Sequence, residues 1–231
     1  MIALDSSTGI VLFTGALVFS ATFFVLLGTG LYIWVRLNRP NPMHLALAAN
    51  IALFMIYWTM WGVDWSQGFV QRHDGVEAPW IRGVANAVIM VSNAMMVSAG
   101  VWLGQTAASF VMLGAITAGV GLGLADCTAD GIFWPWWGVS VAVILVMNAW
   151  FFRMAKNASW QAWYTWLGSM VFSVGIPVIQ AMSWTMGEVL DTHPTRLSSE
   201  IAYLILYFVG VPVFGWIATM VYLPPAKPHL E

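Results

Sequence analysis

The sequence predicts an all-α membrane protein, a bundle of seven transmembrane helices, from three observations. The 231-residue chain is 60% hydrophobic and only 8% charged, where a soluble domain of this size carries roughly a quarter charged residues. A water-soluble globule of this length leaves much of its surface exposed and has nowhere to hide so many apolar side chains, so lipid is the solvent. In lipid every backbone polar group needs a partner within the protein, which leaves helices or a closed barrel. Apolar runs of about twenty residues or more, without alternation, choose helices.

Seven such runs are expected to be helical, over residues 8–37, 44–70, 79–104, 107–124, 132–152, 160–186 and 199–223. At a rise of about 1.5 Å per residue each crosses some 30 Å of hydrocarbon, the fourth only just. The first ends at Asn38-Arg39-Pro40-Asn41-Pro42, because the residue before a proline avoids the α region. Polar stretches over 126–131 and 191–194 part the fourth from the fifth and the sixth from the seventh. The turn between the third and fourth is expected around Gln105 and Thr106, tight and uncharged. Residues 1–223 form one transmembrane domain, followed over 224–231 by a short cytoplasmic tail; Leu230 and Glu231 are set aside as tag residues. No cleavable signal peptide is expected, since Asp5 precedes the first run and no basic region does.

Charge orients the bundle. Arg36, Arg39, Arg153, Lys156 and Lys227 fall on one side, and Arg72, Arg82 and Arg196 on the other. By the positive-inside rule the first side is cytoplasmic, the N-terminus lies outside and the C-terminus inside. A multi-pass protein of the cell (plasma) membrane is the corresponding localisation. Tryptophans gather near both expected interfaces: Trp61, Trp65, Trp80, Trp134, Trp136 and Trp137 outside, Trp34, Trp150, Trp160 and Trp163 inside. They read as an aromatic belt at headgroup depth.

Several functions are disfavoured. No basic cluster suggests a nucleic-acid partner. The lone Cys127 has no intramolecular disulfide partner. His44, His73, His193 and His229 are scattered, without the short spacings of a zinc site. No catalytic motif appears, so no catalytic or metal-ligating residue is assigned and the chain is not expected to be an enzyme. No lysine or carboxylate falls at mid-bilayer depth, which argues against a proton relay.

Local segments carry a resemblance. The second run reads Leu53-Phe54-Met55-Ile56-Tyr57-Trp58-Thr59-Met60, and the third has Arg82 near its start. The fifth opens with Trp136-Trp137 followed by Ser140, the sixth holds Ser173-Val174-Gly175-Ile176-Pro177, and the seventh has Glu200 early and Phe214-Gly215 later. In these features the chain resembles the microbial (type I) rhodopsins, the bacteriorhodopsin-like family, as a divergent form lacking the retinal-binding lysine. The resemblance implies that a Schiff-base lysine should lie three residues before Phe214, where this chain has Val211. The family's seventh-helix aspartate corresponds to Tyr207, its third-helix counterion to Ala85 and the following tryptophan to Asn86; the sixth-helix Trp-x-x-Tyr-Pro-x-x-Trp becomes Ser173-x-x-Ile176-Pro177-x-x-Gln180. The only lysines are Lys156, expected in a cytoplasmic loop, and Lys227 in the tail. Without an intramembrane amine no covalent retinal is expected. A buried carboxylate without a cation is costly, so the losses are mutually consistent.

Two residue sets follow. Asn86, Met90, Ser173, Ile176, Gln180, Tyr207 and Val211 occupy positions where the resembled family encloses its chromophore. They either form interhelical hydrogen bonds around a centre collapsed by side chains such as Met90 and Phe208, or line an apolar pocket. Tyr57, Asp64, Arg82, Glu188 and Glu200 are expected to converge as a polar cluster near the outer surface, locking helices two, three, six and seven. Gly114, Gly119, Gly121 and Gly123 mark a close-packing face of the fourth helix, within the fold or between protomers. The expected function is a structural or interaction subunit without covalent retinal or ion pumping. The alternatives are a non-covalent binder of a carotenoid or retinal, and a sensory or signalling protein acting through a partner. Expected associates are the lipid bilayer, bound lipids, and a second copy or another membrane protein.

Overall fold

The computed structural model describes residues 6–37, 43–62, 69–71, 77–100, 105–127, 133–158, 160–188 and 196–221. Its helices are α1 (Ser6–Leu37), α2 (Met43–Gly62), α3 (Trp80–Gly100), α4 (Gln105–Cys127), α5 (Phe133–Ala158) and α6 (Trp160–Glu188). The seventh span is composite: α7 (Arg196–Phe208), a π-helical turn over Val209–Val213, and α8 (Phe214–Val221). Among the described residues seven helical spans are long and apolar enough to cross a membrane, the last over Leu197–Met220. Each helix packs on its neighbour in sequence, α7 returns to α1, and α3 reaches across the ring to α6. Accordingly 67% of the apolar window in α3 is buried, against 22% in α5, whose outer face is left for lipid.

Three expectations are corrected. The second helix is described over Met43–Gly62, and Phe69–Gln71 (β1) pairs antiparallel with Glu77–Pro79 (β2). The expected run reached residue 70, but Phe69 and Val70 are extended, and pairing Val70 with Ala78 satisfies their backbone. The all-α bundle thus carries one small hairpin. Gln105 begins α4 rather than a turn, and α4 runs on through Asp126 to Cys127. Finally α5 continues to Ala158, so Lys156 lies in its last turn, exposed, rather than in a loop. A cation there faces the negative end of the helix dipole. The tail over 224–231, Lys227 included, lies outside the described residues.

The π-turn follows from Pro212, which has no N–H for the usual bond four residues back. The chain takes one extra residue into the turn, and the N–H of Phe214 reaches the carbonyl of Val209. Glycines set the closest approaches. A Cβ on Gly83 would lie 2.6 Å from the Cα of Gly123, and one on Gly119 would run into the backbone of Ala87. The pairs Gly83/Ala87 and Gly119/Gly123, each four residues apart, therefore bring α3 and α4 backbone to backbone. Gly114 and Gly121 face Met147 and Ser140 of α5. All four glycines of α4 pack within the fold.

Candidate functional site

Arg82 and Glu200 stand near the starts of α3 and α7, which open at the same end of the bundle. One Nη of Arg82 donates to both carboxylate oxygens of Glu200 at 2.6 Å, and both side chains are buried. The guanidinium carbon also sits 4.2 Å from the ring centroid of Tyr203, one turn along α7, a cation–π contact strengthened by the lack of water. Tyr57 of α2 is buried beside them, with no partner for its hydroxyl among the described residues, and the Nε of Arg82 is likewise unpartnered. Of the five residues of the outer set, the structure places Tyr57, Arg82 and Glu200 together. Asp64 lies outside the described residues, as does the side chain of Glu188. Tyr203 was missed. The signal available was its spacing from Glu200 and Tyr207, which puts all three on one face of α7.

One turn deeper, the hydroxyl of Tyr207 donates to Oδ1 of Asn86 at 2.8 Å, joining α7 to α3. The Tyr207 ring is fully buried among Tyr57, Tyr203 and Phe172, with centroids at 6.5, 5.7 and 6.1 Å. Four helices therefore meet on one aromatic side chain. Ile176 and Val211 are buried in the same core. Gly210 admits Phe172, whose ring would meet any Cβ placed there. The filling of the centre comes from Tyr207 and Phe172. Phe208, expected to turn inward, is 39% exposed and points away.

The other residues of the set are held by different neighbours. Ser173 accepts a 3.1 Å hydrogen bond from Nδ2 of Asn148 on α5. Gln180 donates from Nε2 to the carbonyl of Leu122 on α4 at 3.2 Å. Met90 lines a cavity of about 30 Å³ between α3, α4, α5 and α6, together with Asn93, Asn148, Ser169, Phe172 and Ser173. Asn93 donates to the carbonyl of Gly210 in the π-turn at 3.2 Å. Asn86 and Tyr207 are thus brought together, whereas Ser173 and Gln180 bind outward, to α5 and α4.

The tryptophans divide by role. Trp34, Trp61, Trp134, Trp136, Trp150 and Trp160 are exposed near helix ends, where an aromatic belt lies. Trp137 turns inward, its Nε1 donating to the carbonyl of Pro177 at 2.9 Å. Among the described residues no three His, Cys, Asp or Glu side chains gather as a metal site.

No protein-family model matches the chain, and no curated protein does. Solved structures do match. A light-driven proton pump from Leptosphaeria maculans superposes with a TM-score of 0.78 at 12% identity, covering 94% of this chain and 95% of that one. "Halorhodopsin, a light-driven chloride pump" matches with a TM-score of 0.74 at 16% identity, over 94% of this chain and 95% of that one. Schizorhodopsin 4 matches with a TM-score of 0.72 at 15% identity, over 92% and 98%. Identities this low speak for architecture alone. The chain has the fold of the microbial rhodopsins, a seven-helix membrane-spanning bundle.

Proposed function

We propose that this rhodopsin-fold protein holds no covalent retinal, pumps no ion, performs no enzymatic reaction, and serves in the cell membrane as a structural or interaction subunit. The observation that carries the reading is Val211. The resemblance puts the chromophore lysine at this residue; in the fold it is an apolar side chain buried in the π-turn of the seventh span. The one lysine among the described residues, Lys156, is exposed at the end of α5. A Schiff base needs a deprotonated amine at the carbonyl carbon of retinal, and no helix supplies one there. The neighbouring Tyr207–Asn86 bond and the aromatic contacts around it give the centre a holding role between helices.

The test has two arms. Protein in lipid is incubated with all-trans retinal, reduced with borohydride and examined by mass spectrometry; no retinyl adduct is expected, and a stoichiometric adduct on a helix would refute the reading. Gentle extraction from native membrane, followed by native mass spectrometry, is expected to yield a homo-oligomer or a stable complex with another membrane protein. Recovery as a lone monomer would remove the interaction role.

A second reading, a non-covalent binder of retinal or a carotenoid, draws on Met90 and Ser173, which both line the cavity beside the bundle centre. That cavity, at about 30 Å³, is far below the several hundred Å³ of an ordinary ligand site. Phe172 and its neighbours would have to move aside. Visible absorbance in the pure protein would favour this second reading. A signalling role would need the partner that the native extraction seeks.

A further inference from the structure

We propose that the cavity between α3, α4, α5 and α6 is a built water site, in which about two water molecules bridge Asn93 to the polar wall formed by Asn148, Ser169 and Ser173. The proposal stands apart from the question of retinal. Size comes first. The cavity holds about 30 Å³, and one water needs roughly 10–15 Å³ measured the same way. Apolar cavities stay dry, but polar ones that offer two or more partners are filled. Four of the lining residues here are Asn or Ser.

The state of those groups then selects the ligand's chemistry. Asn93 is 1% exposed. Its Nδ2 is engaged with Gly210, and its Oδ1 has no partner among the described residues. Across the cavity, Nδ2 of Asn148 already donates to the Ile144 carbonyl and to Ser173, and the Ser173 hydroxyl to the Met170 carbonyl. The donors of Asn148 and Ser173 are taken, the Ser169 hydroxyl can turn to give or accept, and what Asn93 still offers is an acceptor. The guest must therefore bring hydrogens. No lining residue is charged, so a bare cation would lie uncompensated, and an anion would bring only further acceptors. A small neutral donor remains, and water is the commonest one. A buried carbonyl oxygen left without a partner is destabilising; a bridging water removes that cost. Through Asn93 and Gly210 the bridge also ties the wall of α5 and α6 to the π-turn of the seventh span.

Ala118→Val tests this, because it narrows the cavity and removes no polar group. Displacing the water leaves Oδ1 of Asn93 bare, so the thermal midpoint is expected to fall by about 2–4 °C. In an Asn93→Leu background the same change is expected to leave the midpoint unchanged or raise it. A rise in the unaltered background is what filling a dry void does, and an equal fall in both backgrounds is what a steric clash does; either overturns the proposal. Should the variants not fold, water-to-protein polarisation transfer in solid-state NMR reads the unmutated protein in lipid. The Asn93 side chain is expected to receive magnetisation from water as the exposed Asn157 does, and no transfer to Asn93 would overturn the proposal.

Discussion

The hydroxyl of Tyr207 donates to Oδ1 of Asn86 at 2.8 Å, across the centre of the bundle and between two residues 121 apart in sequence. Neither residue is apolar enough to be placed there by lipid solvation alone, so the pair specifies how α7 is rotated against α3. Tyr207→Phe keeps the ring and deletes the bond. The expected loss is about 0.6–1.7 kcal/mol, the span of interhelical hydrogen bonds in membrane proteins, measured by reversible unfolding in mixed micelles. A double-mutant cycle with Asn86→Leu should return that energy as coupling; a coupling of zero would show that the bond does not hold the helices.

The ion pair between Arg82 and Glu200 should matter more. Both members are buried, and Glu200→Gln strands the guanidinium in the apolar interior. Removing one partner of a buried pair costs about 3–5 kcal/mol. Replacing both, as Arg82→Met with Glu200→Leu, should recover most of it, because two apolar side chains leave no stranded charge. Equal stability of the single and double variants would contradict this account.

Glycines of α4 and α5 should respond in opposite ways. Gly123→Ala puts a methyl against the α3 backbone at Gly83, where nothing flexible can yield, and should cost at least about 2 kcal/mol or abolish folding. Gly138→Ala meets nothing within 4 Å and should be neutral or stabilise by up to about 1 kcal/mol through helix propensity. Detergent thermal-shift measurements on the two variants compare them directly.

Topology is testable through one position. Five of the eight Lys and Arg residues fall on the side read as cytoplasmic, so a cysteine at position 156, in a Cys127→Ser background, should be shielded from a membrane-impermeant thiol reagent in intact cells. Labelling from outside would invert the orientation.

Light should do nothing to ion gradients. Liposomes containing only this protein, supplied with retinal and illuminated, are expected to show no uncoupler-sensitive pH change. The grounds are Val211 at the position where the resemblance puts a chromophore lysine, and the pairing of Glu200 with Arg82 near a helix end. A light-dependent pH change would refute the proposed function.

The seven apolar runs, the absence of a lysine from position 211 and the polar identities of Arg82, Glu200, Asn86 and Tyr207 were legible in the sequence, whereas that these side chains should meet was an expectation drawn from the resemblance. Hydrophobicity is a property summed over a window, and residue identity at a motif position needs no coordinates. The tertiary structure alone decided the hairpin of Phe69–Gln71 with Glu77–Pro79, the π-turn at Pro212, the outward bonds of Ser173 and Gln180, and the filling of the centre by Tyr207 and Phe172 rather than Phe208. These depend on how far each helix is rotated about its axis and how closely two backbones approach. Those quantities are set jointly, by glycine contacts such as Gly83 on Gly123 and by the competition of every polar side chain for a partner in a solvent that offers none.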